Sequence, residues 1–461
     1  MSAEVTPRVA STPRRIMPVL FAGVFMAALD TAVIGPAIPA LREAFGVDNR
    51  QVGLVMSVFI LCSLCSTTVM ASMSDRYGRR PVYLASVACF ALGSLGIAIS
   101  PSFWMVVASR AVQGIGAGGI TPTASAVIGD LFVHEERGRA LGLIGATYGM
   151  AFVLGPPLAG LLLVVANWRW IFLVNLPVAA VVLYQAVRVL PPARATGTPP
   201  PPDYAGIVTT FAVLSCFVLG VTRILDVLVN VTLWPWFLVA TVVLLAQLIA
   251  VEKRSAQPMI PLSLFRNRRL AGTYLLSLGC GFAMGGVIFL TSIAALAYAV
   301  RSEHAGFVLL PLVVCSMLGS MISGRLLNRV GPRALLLTGF ALLAAGYGAT
   351  AITDFGLWLF LAASMPVGLG LGIVVGGALR SIAIDEAPVK LRATAQGLIN
   401  IGNSVGTLGA TAAISAIADF AGGTGGFAIA YVGVAVLMLM MLIVALRLGA
   451  ASDTLVKALN P

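Results

Sequence analysis

Long apolar runs alternate along the chain with short polar joints. Fourteen runs reach the length a helix needs to cross a bilayer, roughly 20 residues. They fall at 16–38, 51–73, 81–99, 103–129, 138–165, 169–190, 205–226, 231–252, 270–299, 305–327, 333–352, 356–381, 391–418 and 426–448. A chain in lipid must satisfy its backbone polar groups within each segment, so each run predicts a helix. The first run, IMPVLFAGVFMAALDTAVIGPAIP, carries Asp30 past its midpoint. A carboxylate at that depth costs about 2.5–3.5 kcal/mol on insertion scales, so it needs a cavity or a partner. Arg110 lies seven residues inside the fourth run and Asp30 eight residues inside the first, both counted from the same predicted face. Similar depth allows the two to interact directly or through water. Arg110 could equally hold backbone carbonyls near Gly114.

The joints fix a predicted sidedness. With the N-terminus in the cytoplasm, six of the 29 Lys and Arg fall on the outer side: Arg42, Arg50, Arg110, Arg169, Arg223 and Arg301. The other 23 fall on the inner side, as cytoplasmic loops require. Trp104, Trp168, Trp170, Trp234, Trp236 and Trp358 all fall at outer ends, where indoles settle at the interface. Both termini are therefore expected in the cytoplasm. The apolar run near the N-terminus is too long for a signal-peptide core and reads as a retained helix.

Composition points the same way. The chain is 59% hydrophobic and 10% charged, against about 25% charged for a soluble domain. The expected class is an all-α polytopic membrane protein. The net charge of +12 is spread over short joints, which argues against a nucleic-acid face. All six cysteines lie in apolar runs, so the Cys62–Cys65 pair reads as helix core and not as a redox or metal site. His134 and His304 lie in joints. There is no GxxxxGK phosphate loop, no intramembrane His/Glu cluster and no metal-ligand set. An ATP-driven pump, a membrane enzyme and a bound metal or cofactor are therefore not expected.

An internal repeat organises the chain. MSDRYGRR at 73–80 returns as LLNRVGPR at 326–333, and RGRALG at 137–142 returns as RATAQG at 392–397, with offsets of 253 and 255. Two six-helix halves, 1–190 and 270–461, are thus predicted to flank an inserted unit at 191–269. That unit holds the proline-rich link PPARATGTPPPPD, two helices and a basic segment at 252–269, expected along the inner membrane surface. Duplicated halves around a midplane site are a transporter architecture. In the joint at 73–80, Gly78 allows a tight turn among Asp75, Arg76, Arg79 and Arg80. Those charges read either as a positive-inside anchor or as a gate that clasps other helix ends. Span 5 holds Gly149, Gly155, Pro156 and Gly160, which permit close helix approach and a bend. Phe25, Met26, Tyr148 and Phe152 could line a cavity or simply pack, and so could Gln113, Asn400 and Asn403. The GxGxG at 368–372 reads as packing glycines, and Arg223 with Asp226 as an interfacial pair.

Six segments carry a resemblance. They are LDTAVIGPAIPAL (29–41), ASMSDRYGRRP (71–81), RAVQGIGAGG (110–119), GMAFVLGPPLAG (149–160), WRWIFLVNLP (168–177) and AGFVLLP (305–311). In this order, at these helix ends, the chain resembles the fourteen-span drug:proton antiporters of the major facilitator superfamily. The resemblance implies a major facilitator fold with two inserted helices. It also implies proton-coupled export of amphipathic small molecules across the cytoplasmic membrane by alternating access. It gives Asp30 the proton-coupling role and Arg110 the role of its charge partner. It makes Asp75, Arg76, Gly78, Arg79 and Arg80 a gate with Asp130 and Arg139, and makes Gly149, Gly155, Pro156 and Gly160 a seal against leak. Implied partners are protons, a monocationic or zwitterionic substrate and membrane lipids, with a functional monomer and no nucleic acid. The chain departs from the family pattern at Ala71, Ala151 and Ala159, where glycine is commoner. It departs again at Asn328, where an acid is usual, so an asymmetric gate is expected. Rival readings are an exporter dedicated to one metabolite and a sensor that kept the fold without transport.

Reporters fused after Pro199 and after Pro461 should report cytoplasm, and one after Arg301 the outside. Fusions at 199 and 461 on opposite sides would overturn the fourteen-span topology.

Overall fold

The structure, a computed structural model, describes residues 12–47, 49–192, 203–222, 232–255, 258, 260–290, 293, 297–298, 305–352, 356–421 and 423–448. Helix occupies every predicted span. In chain order the helices are α1 Thr12–Phe45, α2 Asn49–Tyr77, α3 Arg79–Ala98, α4 Phe103–Leu131 and α5 His134–Val165. Then come the short α6 Trp168–Leu173, α7 Asn175–Val189, α8 Tyr204–Thr222 and α9 Trp234–Arg254. The second half contains the one-turn α10 Ser263–Arg266, α11 Arg268–Ile288, α12 Ala305–Thr350 and α13 Leu357–Ile373. It ends with α14 Leu379–Glu386, α15 Arg392–Ala421 and α16 Gly423–Arg447. Among the described residues, ten segments are long and apolar enough to cross a membrane by length and composition.

The sequence repeat has a backbone counterpart. Gly78 opens α3 with φ 98°, and Gly331, its equivalent 253 residues on, has φ 79° and breaks α12 into two helices. A left-handed residue turns the chain sharply there at no steric cost. Each half then builds its own core. Val24, Tyr83, Phe90 and Ile120 pack together in α1–α7, and Leu270, Phe340, Tyr347 and Tyr431 pack together in α11–α16. α8 seats Leu214 and Val218 on Leu64 and Cys65 of α2 and on Leu408 of α15, so the inserted pair rests against both halves. α9 is the outermost helix. Val239, Val242 and Val243 are exposed along it, as expected of a helix facing lipid.

The basic segment does more than lie on a surface. Glu252 accepts a hydrogen bond from Ile260 N at 3.2 Å, Leu264 is buried in the second core, and Asn267 caps α11 through Arg269 N at 2.9 Å. The stretch is thus folded back onto the second half. Residues 193–202 of the proline-rich link, Arg223, Asp226, Arg301 and His304 lie outside the described residues.

Small residues bring the two halves together at the end of the bundle that holds the basic joints. A Cβ on Gly142 would stand 2.6 Å from Gly324 Cα, and one on Gly145 would stand 2.6 Å from Gly376 Cα. Gly138 meets Leu327 and Asn328, and Gly397 meets Ala71. A π turn at Val374–Ala378, with Gly377 at φ 135°, delivers Gly376 to that seam. The glycines at 368–372 are packing residues. A Cβ on Gly368 or Gly372 would stand 2.0 Å from a carbonyl oxygen of α12.

Gly116 lies against the backbone of α3, where a Cβ would meet Phe90 N at 2.3 Å. Gly116→Ala should therefore cost about 1–3 kcal/mol of overpacking strain and lower the melting temperature of the purified protein. Gly160 has nothing within 4 Å of its Cβ position, so Gly160→Ala should leave it unchanged or higher. Thermal unfolding followed by thiol-reactive dye gives the comparison.

Candidate functional site

Asp30 and Arg110 meet directly. Arg110 Nη1 donates to Asp30 Oδ2 at 2.6 Å, and both side chains are 0% exposed. The other carboxylate oxygen accepts from Gln113 Nε2 at 2.8 Å and Asn175 Nδ2 at 3.1 Å. Both amides also donate to Ser94 Oγ, at 2.8 and 3.2 Å. Arg110 Nε donates to Val55 O at 3.3 Å, and the guanidinium lies 4.2 Å from the Phe59 ring centroid. The arginine thus holds both a carboxylate and a backbone carbonyl. One network joins α1, α2, α3, α4 and the start of α7. Arg110 Nη2 is buried with no hydrogen-bond partner, a loss on the order of 1–3 kcal/mol.

A second constellation closes the basic end. Asp75 accepts from Ala393 N at 3.0 Å, Thr394 N at 2.7 Å and Thr394 Oγ1 at 2.7 Å. It caps the N-terminus of α15 from the opposite half, where free N–H groups and the helix dipole favour a negative charge. Arg79 pairs with Asp75 and with Asp130, the latter through Nε at 2.9 Å. Arg392 pairs with Asp130 at 3.0 Å, and Arg137 with Asp385 at 2.8 Å. Adding the repeat offset of 255 to Asp130 and Arg137 gives Asp385 and Arg392. The two inter-half pairs are therefore symmetry mates.

The inter-half contact is more symmetric than Asn328 led us to expect, because the repeat supplies its pairs from α4, α5 and their equivalents. Asn328 itself lies against Gly138, the fifth residue of α5, whereas Asp75 meets the first turn of α15. Arg139 does not join the Asp75 cluster. It is exposed beside Gly324, Arg325 and Asn328, and Arg137 and Arg392 take the inter-half positions. Arg80 donates to Val187 O at 2.6 Å within its own half. Arg76 borders a small cavity with Tyr77, Asp203 and Ile207, at the foot of the inserted pair.

The remaining predicted residues divide between core and seam. Met26 is buried in the first core, and Phe25 stacks on Phe21 at 6.0 Å. Gln113 is buried in the Asp30 network. Tyr148 shares a hydrogen bond with Thr121 at 3.0 Å. Asn400 accepts from Arg380 at 3.3 Å, and Asn403 Oδ1 is buried without a partner. Gly155 packs against Ala32. α5 runs unbroken through Gly149, Phe152 and Pro156, whose side-chain surroundings lie outside the description. Sequence reasoning missed Ser94, Asn175, Arg392 and Thr394, and it counted Arg380 only among the inner-side positive charges. Arg380 is 4% exposed, between the halves. The constant repeat offset was the available signal for Arg392.

Two helical halves, an ion pair inside one and a charged latch between them define a multi-pass membrane transporter. The model of the Major Facilitator Superfamily matches residues 20–411, and the chain belongs to that superfamily of transporters. Among curated relatives, the uncharacterized MFS-type transporter YfiU of Bacillus subtilis is 31% identical over 83% of this chain and 76% of its own. The tetracenomycin C resistance and export protein of Streptomyces glaucescens is 30% identical over 87% and 77%. The multidrug transporter protein MdtP of Bacillus subtilis is 28% identical over 80% and 68%. Two solved structures share the fold at a TM-score of 0.70. The human organic anion transporter MFSD10 is 19% identical over 95% of this chain and 100% of its own. The proton:xylose symporter XylE is 14% identical over 94% and 95%.

The latch predicts its own test. Arg137→Asp or Asp385→Arg alone should open the seam, raising the rate at which a single cysteine at Ser125 reacts with maleimide. Together the two changes should return that rate toward the parental one. A double variant as reactive as the single ones would show that the pair does not hold the halves.

Proposed function

We propose that the chain exports amphipathic small molecules across the cytoplasmic membrane in exchange for protons, by alternating access between the halves 1–190 and 270–461. The observation that carries this reading is the fully buried Asp30–Arg110 pair, tied through α4 to the inter-half latch. α4 holds Arg110 and Gln113 at one level. At its basic end Gly129 O and Asp130 accept from Arg392. A change at Asp30 that shifts α4 therefore reaches the latch directly.

The proposed cycle starts from this conformation, closed at the basic end, which we take as cytoplasmic from the distribution of Lys and Arg. Asp30 is ionised and held by Arg110, Gln113 and Asn175. A proton arriving at Oδ2 removes the charge that holds Arg110 and loosens α1 from α4. The latch then parts, and the substrate enters from the basic side. Loss of the proton there restores the ion pair and closes the latch behind the substrate. Removing the pair's partner would leave a buried charge alone at a cost of about 3–5 kcal/mol. That energy is large enough to drive a switch between two packings. Asp75, Arg79, Asp130 and Arg392 are the gate in this scheme, with Arg137 and Asp385 as its second arm. The relative named for tetracenomycin C export also supports a narrower reading, an exporter dedicated to one compound.

Asp30→Asn should abolish dye-evoked proton movement in everted vesicles, and Asp30→Glu should retain part of it. We expect a fall of roughly tenfold or more, the scale of about 1.4 kcal/mol. Because Arg110 is left unpaired in Asp30→Asn, the double variant Asp30→Asn with Arg110→Gln serves as the folding control. It should recover membrane expression but not proton exchange. Parental exchange in Asp30→Asn with ethidium or rhodamine 6G would place the coupling acid elsewhere.

A further inference from the structure

We propose that Arg380 binds an anionic oxygen of the transported molecule, a carboxylate, phenolate or sulfonate, so that the preferred substrates are acidic or zwitterionic amphiphiles. The inference rests on the export reading and supplies its substrate class. It also narrows the expectation from sequence, since a permanent monocation would be repelled at this position.

The local backbone brings Arg380 into the seam. The π turn at Val374–Ala378 and Gly377 precede α14 directly. Arg380 Nη1 donates across the halves to Ser125 Oγ at 2.9 Å, and Nη2 donates to Asn400 Oδ1 at 3.3 Å. A guanidinium has five N–H donors in a planar fork suited to a carboxylate. Among the described residues its hydrogen bonds go to these two neutral oxygens alone, although the residue is 4% exposed. A buried cation with no counter-charge is costly.

The acids that could have neutralised it are engaged elsewhere. Asp385 and Glu386, on the same short helix, pair with Arg137 and Arg269. Asp130 and Asp75 serve the latch, and Asp30 is matched by Arg110. The Asp30–Arg110 pair sums to zero, and among the described residues no acid forms an ion pair with Arg380. The surroundings also hold acceptors suited to a donor group of a zwitterionic ligand. Gln396 donates to Arg380 O at 2.9 Å, while its own Oε1 and Asn403 Oδ1 are buried without partners. Residues 396, 400 and 403 follow helical spacing along α15.

Position gives the site its role in the cycle. Ser125 precedes Asp130 by five residues on α4, about 7.5 Å at 1.5 Å per residue. Arg380 therefore lies one to two turns beneath the latch. Ser125 and Arg380 belong to opposite halves, 255 residues apart, so they are themselves equivalent positions, one a hydroxyl and one a cation. When the latch parts, Arg380 loses Ser125 and opens to the basic side with donors free. An anionic oxygen there takes the place of the hydroxyl.

The test is binding to the full-length protein in lipid nanodiscs, with empty nanodiscs subtracted. The probes are 8-anilinonaphthalene-1-sulfonate and N-phenyl-1-naphthylamine, which share a ring scaffold and differ in the sulfonate. The parent should prefer the sulfonate by about tenfold, the scale of one charged hydrogen bond. Arg380→Gln should erase that preference while leaving the amine within about twofold, and Arg380→Lys should keep part of it. Ser125→Ala, which removes the inter-half bond and keeps the charge, should retain it. The assignment is overturned if the parent shows no preference, or if the preference survives Arg380→Gln. It is overturned equally if Ser125→Ala abolishes the preference as fully as Arg380→Gln, which would make Arg380 part of the latch only. Proton movement plays no part in this measurement. A parent that prefers the sulfonate yet moves no protons defeats the export reading and leaves the anion site standing.

Discussion

Charge buried among apolar helices must be matched, and this requirement shapes the structure at every level. Asp30 can sit inside α1 because three other helices bring donors to it: Arg110 and Gln113 from α4, Asn175 from α7, and Ser94 from α3 to orient the two amides. The network therefore fixes how the helices of the first half pack. It also makes α4 indispensable to both constellations, since the helix that neutralises Asp30 ends in Asp130 and the latch.

The latch shows the same requirement met by duplication. One half contributes Asp130 and Arg137, and the other contributes Asp385 and Arg392. Each acid finds the arginine of the opposite half. Two pairs related by a pseudo-twofold cannot slide past each other without both breaking, so the contact behaves as open or closed and not as continuously deformable. Asp75 adds an asymmetric element, since a carboxylate caps α15 while Asn328, uncharged, faces α5. Asn328 lies beside the fifth residue of its helix and carries no charge, so the charged cap is made in one arm of the contact.

The helices were legible in the sequence because lipid leaves a spanning chain no alternative to helix, so apolar length suffices. Similar depth on two such helices showed that Asp30 and Arg110 could meet, but not that they do so directly. The rest of that network was not legible. Ser94 and Asn175 are small polar residues, and nothing along a single chain separates them from residues that bond their own helix. Arg137 and Arg139 lie about 200° apart around α5 at 3.6 residues per turn. Which of them faces the other half depends on helix phase, which hydropathy does not carry. The burial of Arg380 was hidden for a related reason. It lies near the end of a long apolar run, where arginines normally reach the headgroups, but the π turn and the glycine contacts at Gly376 keep that end inside the seam.

The two halves therefore share a skeleton and differ in where their charge is spent. In the first half the deep arginine is matched within its own bundle, and the match is incomplete, since Arg110 Nη2 has no acceptor. In the second half the buried arginine is matched only by neutral oxygens, one of them on the opposite half. In the proposed cycle the first match is released by the proton on Asp30, whereas the second is broken by the parting of the halves itself. A motion that takes a partner directly from the second arginine favours a ligand there. The asymmetry between Ser125 and Arg380, equivalent positions with unlike chemistry, thereby gives a symmetric fold a direction in which binding and closing are coupled.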